Sequence, residues 1–546
     1  MNAYLRRTFY LFTVGFVALV GVLAYWQVYA KESLATDPSN SLQSRRVQEV
    51  ARGLILAGDG QTELARSVQK DNGTYAREYP EGPVYSNVVG YWSPRYGASG
   101  IEIGQNNNLS GAGDPDTLDE LLNQISGGPQ AGNDVTLTLD PDLQRLAYDQ
   151  LAQSSTGRGS AVALNPKTGE IQAMVSYPSY DPNNIDDNFE DLANDPKSPL
   201  LNRATQGLYP PGSTFKMITA AAALKSGVKP TDEFEDDGTY QTPGYTVYNY
   251  KNQKYGKQTF TEALTHSVNT IFAKVAVEEV GPEALAQTAY DFGYETSYGG
   301  FPIPVSPSIV GPPPGQWAPG NTAQIAFGQQ TVVSNVFEMA LVGAAIANGG
   351  TMEEPRLVRE VRSPDGTILD KPTSRIRKNA VDKETAETLN DMMQHAVTDY
   401  ETGAVIPGIK VAGKTGTAEA SGGELHSWFV SFAPADDPEI VVAVLVENGQ
   451  EGYKQAVPIA RRLMETYLHS SGTLKNEAPQ MEQTTPSTQQ PAQPKTQTEQ
   501  TTPSTQQPAQ PKSGSPFQVP FQNPSQQKAP NPPGVPSSPS GKGQGF

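Results

Sequence analysis

The chain has 546 residues, a length that predicts several domains and at least one sizeable hydrophobic core. It has no cysteine and four histidines, which excludes disulfides and thiolate nucleophiles and argues against a metal cluster or a Ser-His-Asp triad. The formal net charge of −18 argues against nucleic acid as a partner, because nucleic-acid binding needs a basic face.

The N-terminal segment predicts a membrane anchor. Residues 1–7 are followed by an uncharged, mostly apolar run over residues 8–30, which is long enough to cross a bilayer as one helix. Arg6 and Arg7 precede the run, so the positive-inside rule predicts a cytoplasmic N-terminus with the remaining chain outside. The alternative is a signal peptide cleaved after Val28-Tyr29-Ala30, but the apolar run is longer than a usual signal-peptide core, which favours an uncleaved single-pass anchor.

Residues 41–132 are polar and glycine-rich, and their short strand-like stretches predict a small β-rich module. Residues 133–470 mix strand and helix signals and predict an α/β domain. Its first elements are a strand over 135–139 and a helix over 143–151. Asp140 is the expected N-cap of that helix and Pro141 its first helical residue.

Further along, two apolar strands over 160–164 and 170–176 are joined by a Pro- and Gly-containing turn, which predicts a hairpin. The periodicity predicts helices over 269–280 and 335–347, and the Val-, Ala- and Leu-rich run 440–447 predicts a fully buried strand. The acidic run 232–237 lacks the spacing of a calcium-binding loop, so we expect a solvated loop there.

The C-terminal tail, residues 471–546, is rich in Pro, Gln, Thr and Ser, and residues 482–495 recur word for word at 499–512. Such a composition cannot bury enough apolar surface to offset the entropy of ordering, so we expect a disordered tail.

Three short motifs carry the chemistry. They are, in chain order, Ser213-Thr214-Phe215-Lys216, Ser267-Val268-Asn269 and Lys414-Thr415-Gly416-Thr417. This is the S-x-x-K, S-x-N and K-T-G set of active-site serine enzymes that bind penicillin. Ser213 precedes a helical run over 215–224, so it would lie at a helix N-terminus, where backbone N–H groups favour an oxyanion.

Lys216 lies three residues after Ser213 and therefore shares its helix face. To accept the serine proton it must be neutral, which requires burial or a second cation, and Lys414 is the candidate for that cation. Each motif alone has an ordinary alternative: Ser213 or Ser267 could simply cap a helix, and Lys216 could be a surface lysine.

With these motifs in this order, the chain resembles the class B penicillin-binding proteins, which are peptidoglycan D,D-transpeptidases. Arg52-Gly53 and Gly100-Ile101-Glu102 resemble the opening and closing signatures of their N-terminal module, and Asn202-Arg203-Ala204 resembles the actinobacterial branch called penicillin-binding protein A. The resemblance implies a penicillin-recognising transpeptidase fold over 133–470, with helices around a five-stranded antiparallel sheet. Residues 41–132 would then be a pedestal or dimerisation-type module, too small for the glycosyltransferase domain of class A enzymes, so we expect no glycan polymerisation.

The resemblance also implies roles for the catalytic residues. Ser213 would attack the penultimate D-Ala carbonyl of a stem peptide, with Lys216 as its base. Ser267 would relay the proton to the leaving amine, and Asn269 would support Lys216 and the substrate amide. The same serine would be acylated by β-lactams, and neither a metal nor an organic cofactor is needed.

On the K-T-G strand, the resemblance makes Lys414 the countercharge for the C-terminal carboxylate of a D-Ala-D-Ala stem. Thr415, Gly416 and Thr417 would bind the substrate, with glycine permitting its close approach. The backbone N–H groups of Ser213 and Thr417 would form the oxyanion hole.

The expected partners are peptidoglycan stem peptides, β-lactams, the cell membrane, and a glycan polymerase or other membrane proteins of division or elongation. Three alternatives stay open at this point. A D,D-carboxypeptidase would use the same site with water as acceptor. A class A β-lactamase would need a Glu-x-x-Leu-Asn segment, which is missing downstream of Asn269. A non-catalytic β-lactam sensor or scaffold of the known kind carries several membrane helices, and only one span is predicted here.

Overall fold

The computed structural model describes residues 3–25, 50–111, 131–419 and 423–474. The predictions for the cleavage site near residue 30 and for nearly all of the C-terminal tail lie outside these residues.

The described residues form the following strands, in chain order: β1 Ile55–Leu56, β2 Glu63–Gln69, β3 Tyr75–Glu78, β4 Trp92–Ser93, β5 Gly97–Ala98, β6 Asp134–Leu137, β7 Gly159–Leu164, β8 Ile171–Tyr177, β9 Glu233–Asp236, β10 Thr239–Thr242, β11 Tyr245–Tyr248, β12 Gly256–Thr259, β13 Thr351–Glu353, β14 Val358–Arg362, β15 Ile368–Asp370, β16 Ile376–Asn379, β17 Ala412–Glu419, β18 Leu425–Ala433 and β19 Ile440–Val446. The α-helices are α1 Ala3–Ala24, α2 Ser86–Val89, α3 Gly100–Gly104, α4 Asn106–Leu109, α5 Pro141–Ala152, α6 Ile185–Asn194, α7 Lys216–Lys225, α8 Phe260–Thr265, α9 Asn269–Val275, α10 Pro282–Asp291, α11 Pro319–Ile325, α12 Val336–Ala347, α13 Lys383–His395 and α14 Gly452–Ser470.

A five-stranded antiparallel sheet in the order β17-β18-β19-β7-β8 lies at the centre of the larger region, as predicted. Every residue of β19 is buried, and its side chains alternate between two hydrophobic cores. Val442 and Val444 pack on the side of α5 and α14, whereas Val441 and Ala443 pack on the side of α12. Helices therefore cover both faces, which explains the continuous apolar run in the sequence.

Local signals produce the predicted elements around this sheet. The Asp140 side chain accepts a hydrogen bond from the backbone N–H of Leu143, and Pro141 opens α5. The β7–β8 hairpin turns through Gly169, whose φ of +72° favours glycine. Asn335 caps α12 by accepting from the backbone N–H of Glu338. The predicted cap of α5, the hairpin and the helix over 335–347 are confirmed, and Asn335 is the cap of that helix and not its first helical residue.

A second sheet contains six strands in the order β15-β14-β6-β1-β2-β3. Strand β6 pairs in parallel with β1 and antiparallel with β14, so residues before 70 and after 357 belong to one sheet. Buried Glu102 lies beside β3, forming ion pairs of 2.9 Å with Arg52 and 2.6 Å with Arg77. The strand predicted to open the α/β domain thus joins the two parts of the chain.

The acidic run 232–237 is not the solvated loop we predicted. Residues Glu233–Asp236 form strand β9 paired with β12, and Asp236 is buried. Its carboxylate accepts hydrogen bonds from Asn249 Nδ2 (2.8 Å) and Thr270 Oγ1 (2.6 Å). These partners come from distant parts of the sequence, so the local pattern could not indicate them. Among the described residues, no group of His, Asp and Glu side chains could hold a metal ion.

Helix α1 covers much of the predicted membrane span, and its large apolar side chains from Phe9 to Val22 are exposed. Within residues 3–25, 50–111, 131–419 and 423–474, no helix has both the length and the apolar character that a membrane crossing requires.

Candidate active site

The first motif forms a tight turn that leads into a buried helix. Residues Gly212–Phe215 are a 3₁₀ turn and α7 begins at Lys216, so the helix starts one residue later than predicted. Gly212 has a φ of +54°, and a Cβ there would come within 2.9 Å of the Thr417 carbonyl oxygen. The glycine therefore allows the turn that carries Ser213 to lie directly against strand β17.

Lys216 is completely buried, and four oxygen atoms surround its amino group. Its Nζ donates to the carbonyl oxygen of Ser267 and to Asn269 Oδ1, both at 2.7 Å. It also lies 3.2 Å from Ser213 Oγ and 3.1 Å from Ser267 Oγ. A neutral amine has two N–H donors and one lone pair. The two carbonyl acceptors use the donors, which leaves the lone pair for a hydroxyl proton.

Burial lowers the pKa of Lys216 well below the ordinary lysine value, and the nearby charge of Lys414 lowers it further. Both causes match what the sequence required for a lysine that acts as a base. The alternative of a surface lysine is excluded by the complete burial of the side chain.

Ser267 connects α8 to α9 and adopts a φ of +58°, a left-handed conformation that is rare for serine. Val268, not Ser267, stands at the N-cap position of α9, and the Asn249 side chain accepts from the Thr270 N–H in its first turn. The alternative that Ser267 only caps a helix is therefore wrong. Asp236 accepts a hydrogen bond from Thr270 in the first turn of α9, which helps to hold Asn269 beside Lys216.

The third motif lies on β17, the edge strand of the five-stranded sheet. Lys414 is buried, and its Nζ donates to the carbonyl oxygen of Thr415 at 3.2 Å. Burial lowers the pKa of Lys414 to about 8, while the carboxylate of Glu401 acts in the opposite direction.

Gly416 has a use that the sequence did not indicate. A Cβ at this position would come within 2.8 Å of the Pro211 carbonyl oxygen and 2.9 Å of Thr214 Cγ2. Its close neighbour is therefore the turn that carries Ser213, and glycine lets the first and third motifs pack together.

The motif residues surround one cleft with a volume of about 560 Å³. The predicted residues that line it are Ser213, Ser267, Asn269, Thr415 and Thr417. Lys216 and Lys414 are buried. The Lys216 amino group contacts three of the lining residues, Ser213, Ser267 and Asn269. The cleft is also lined by residues that the motifs did not indicate, among them Glu401, Tyr248 and Tyr400. They lie outside the three motifs, in segments that carry no recognised pattern.

Comparison with known proteins identifies the class. Residues 159–465, more than half of the chain, match the penicillin binding protein transpeptidase domain family. Residues 52–135 match the penicillin binding protein A dimerisation domain family. The chain belongs to the penicillin-binding transpeptidase family, and the family and fold expected from the sequence are confirmed.

Individual relatives lie in the branch that the sequence indicated. The chain is 36% identical over 486 residues to the peptidoglycan D,D-transpeptidase PbpA of Mycolicibacterium smegmatis, covering 84% of this chain and 98% of that protein. Among solved structures, it is similar to penicillin-binding protein A of M. tuberculosis as a ceftriaxone acyl-enzyme, with a TM-score of 0.73, 33% identity, and coverage of 78% of this chain and 100% of that one. The penicillin G acyl-enzyme of the same protein gives a TM-score of 0.71, 34% identity, and coverage of 77% and 100%.

Proposed function

We propose that this chain is a serine-type peptidoglycan D,D-transpeptidase whose nucleophile is Ser213, and that β-lactams inhibit it by acylating the same serine. The observation that carries the proposal is the contact between Ser213 Oγ and a buried, pKa-lowered Lys216. A hydroxyl next to a neutral amine in a water-poor site can be deprotonated as it attacks.

The reaction has two halves. Ser213 Oγ attacks the penultimate D-Ala carbonyl and its proton passes to Lys216 Nζ. Ser267 Oγ, 3.1 Å from the same Nζ, passes a proton to the departing D-Ala amine. The amino group of a neighbouring stem peptide then attacks the ester, a proton returns to Ser213, and the cross-link is released.

The remaining motif residues would bind substrate and stabilise the transition state. Lys414 would attract the terminal carboxylate, with Thr417 and Thr415 on the same strand. The backbone N–H groups of Ser213 and Thr417 would donate to the developing oxyanion. Strand β17 is a sheet edge, so an extended stem peptide can lie alongside it.

The test is intact-mass spectrometry of the full chain mixed with benzylpenicillin. A long-lived adduct of one penicillin is expected on the wild type, and none on Ser213→Ala. Lys216→Gln should acylate about 10²–10⁴-fold more slowly, which is the usual contribution of a general base. Lys225→Gln, on the exposed end of the same helix, is the matched control and should acylate normally.

The other outcomes distinguish the alternatives. Rapid turnover of the adduct would indicate a β-lactamase, and a folded wild type without an adduct would indicate a scaffold. A D-Ala-D-Ala peptide offered together with an amine acceptor separates the two remaining activities. A joined product is expected of a transpeptidase, whereas hydrolysis alone would indicate a carboxypeptidase.

We further propose that residues 8–30 attach the enzyme to the cell membrane, with the pedestal over 41–132 and the transpeptidase domain over 133–470 outside the cytoplasm. The uncharged sequence and the exposed apolar side chains of α1 support the attachment. A glycan polymerase or another membrane protein of division or elongation is the proposed partner. Retention in the membrane fraction after an alkaline wash is expected, and release by that wash would contradict the attachment.

A further inference from the structure

Glu401 is a carboxylate in the cleft that the motifs do not account for. A π-helical turn, Ala396–Tyr400, continues α13, and Glu401 is the next residue. The Glu401 backbone N–H donates to the Ala396 carbonyl at 2.8 Å. The Ala404 N–H donates in turn to the Glu401 carbonyl at 2.9 Å. Single π-helical turns within α-helices occur often at functional sites. Glu401 is the residue that directly follows this turn, and it is only 6% exposed.

The Glu401 carboxylate contacts the K-T-G strand through Thr415. Thr415 Oγ1 donates to Glu401 Oε1 at 2.5 Å, a short hydrogen bond between two buried groups. The carbonyl of the same threonine accepts from Lys414 Nζ. Thr415 is therefore bonded on one side to the carboxylate and on the other to the lysine. Because an ionised carboxylate only accepts, the proton of the Thr415 hydroxyl is directed at Glu401 and away from a ligand in the cleft.

Two titratable groups, Lys216 and Glu401, interact electrostatically with Lys414. The charge of Lys414 helps to keep Lys216, at the start of α7, neutral, and Glu401 is the opposite charge that favours the protonated state of Lys414. Glu401 also faces the phenol of Tyr400, whose pKa is raised mainly by burial and then by this carboxylate. A buried ammonium without a neighbouring carboxylate would lose its proton more easily.

We propose that Glu401 is a positioning residue of the transpeptidase reaction, which holds the Thr415 hydroxyl in a fixed orientation and supplies the buried countercharge of Lys414. Thr417, which has no such carboxylate partner among its described contacts, is then the hydroxyl that donates to the terminal carboxylate of the stem peptide. The inference rests on the proposed function of Lys414 as the cation that receives that carboxylate.

The experiment measures the benzylpenicillin acylation rate constant from pH 6 to 10 in the full chain, for wild type, Glu401→Gln and Glu401→Asp. Glu401→Gln should move the alkaline limb of the profile to lower pH by about one unit or more, since an opposite charge at short range shifts a pKa by that amount. Glu401→Asp keeps the charge and should leave the limb close to the wild-type position. The matched control is Asp399→Asn, which removes an exposed carboxylate of the same segment that pairs with His395.

A merely structural role would lower the rate equally at every pH, so an unmoved limb in Glu401→Gln would overturn the proposal. Equal shifts in Glu401→Gln and Asp399→Asn would overturn it too, because they would indicate a general effect of net charge. The rate constant comes from the time course of the reactive fraction, so partial misfolding of a variant does not change the position of the limb. Failure of the proposed function itself would appear differently, as a wild type that forms no adduct at Ser213.

Discussion

At the scale of single residues, two buried lysines have opposite requirements. Lys216 must be neutral to accept the Ser213 proton, whereas Lys414 must be charged to attract a carboxylate. Their surroundings differ accordingly: Lys216 faces a like charge, while Lys414 also faces Glu401. Pairs of titratable groups whose environments push their pKa values apart are the usual means of separating base and cation roles in one site.

A bell-shaped pH dependence of acylation follows from these two lysines. The neutral fraction of Lys216 grows as pH rises through its lowered pKa, so the rate should climb on the acidic side. Lys414 loses its proton near its pKa of about 8, so the rate should fall above that pH. The two groups interact, so each limb belongs to the pair. The measurement is the benzylpenicillin acylation rate followed by mass across the pH range.

The variant Lys414→Gln tests whether the charge of Lys414 lowers the pKa of Lys216. Removing the cation lets the pKa of Lys216 rise, so the acidic limb should move to higher pH as the overall rate falls. Lys167→Gln removes a lysine from a second K-T-G sequence, an exposed turn where Lys167 pairs with Asp437, and its profile should match the wild type. An acidic limb that stays in place in Lys414→Gln would mean that Lys414 does not influence the base.

At the scale of elements, the site depends on how closely strand β17 lies against the turn of Ser213. Gly416→Ala places a Cβ within 2.8 Å of the Pro211 carbonyl oxygen, and that backbone atom cannot rotate away. We expect a loss of about 1–3 kcal/mol in unfolding free energy, the usual effect of overpacking, and slower acylation because the strand and the turn separate. Urea denaturation and the benzylpenicillin adduct rate measure the two effects.

Gly299→Ala is the matched control, because a Cβ there meets no atom within 4 Å. It should keep both the stability and the adduct rate of the wild type. If Gly416→Ala behaved in the same way, the close packing of β17 against the turn would have no role in positioning Ser213.

The elements also indicate which features a single sequence can reveal. The cap of α5 and the apolar run of β19 depend on neighbours in sequence, and both were predicted correctly. The S-x-x-K spacing predicted that Ser213 and Lys216 lie close together, because residues three apart share one side of a helical turn. The burial of Asp236 and of Glu401 was not predicted, because each depends on a partner outside its own local segment, Thr270 for one and Thr415 for the other.

At the scale of the whole molecule, the six-stranded sheet connects the N-terminal module to the transpeptidase domain. Strands β1, β2 and β3 come from the module, and β14 and β15 come from a segment between the second and third motifs. Such pairing between distant segments favours a joint unfolding transition over two independent ones. The sequence alone predicted a separate module, because the strands of the module are short and the sequence of β6 does not indicate which strands it pairs with.

The Glu102 ion-pair cluster tests this coupling. Glu102→Gln leaves two buried arginines, Arg52 and Arg77, without their carboxylate, which should reduce the unfolding free energy by about 3–5 kcal/mol. Because the shared sheet couples the two regions, penicillin labelling and the hydrogen-exchange protection of strand β2 should be lost at the same reduced temperature. Glu63→Gln, whose partner Arg66 is on the surface, is the control and should melt as the wild type does. If labelling of Glu102→Gln persisted after β2 had lost its protection, the module would unfold independently, and the sheet would not couple the two regions.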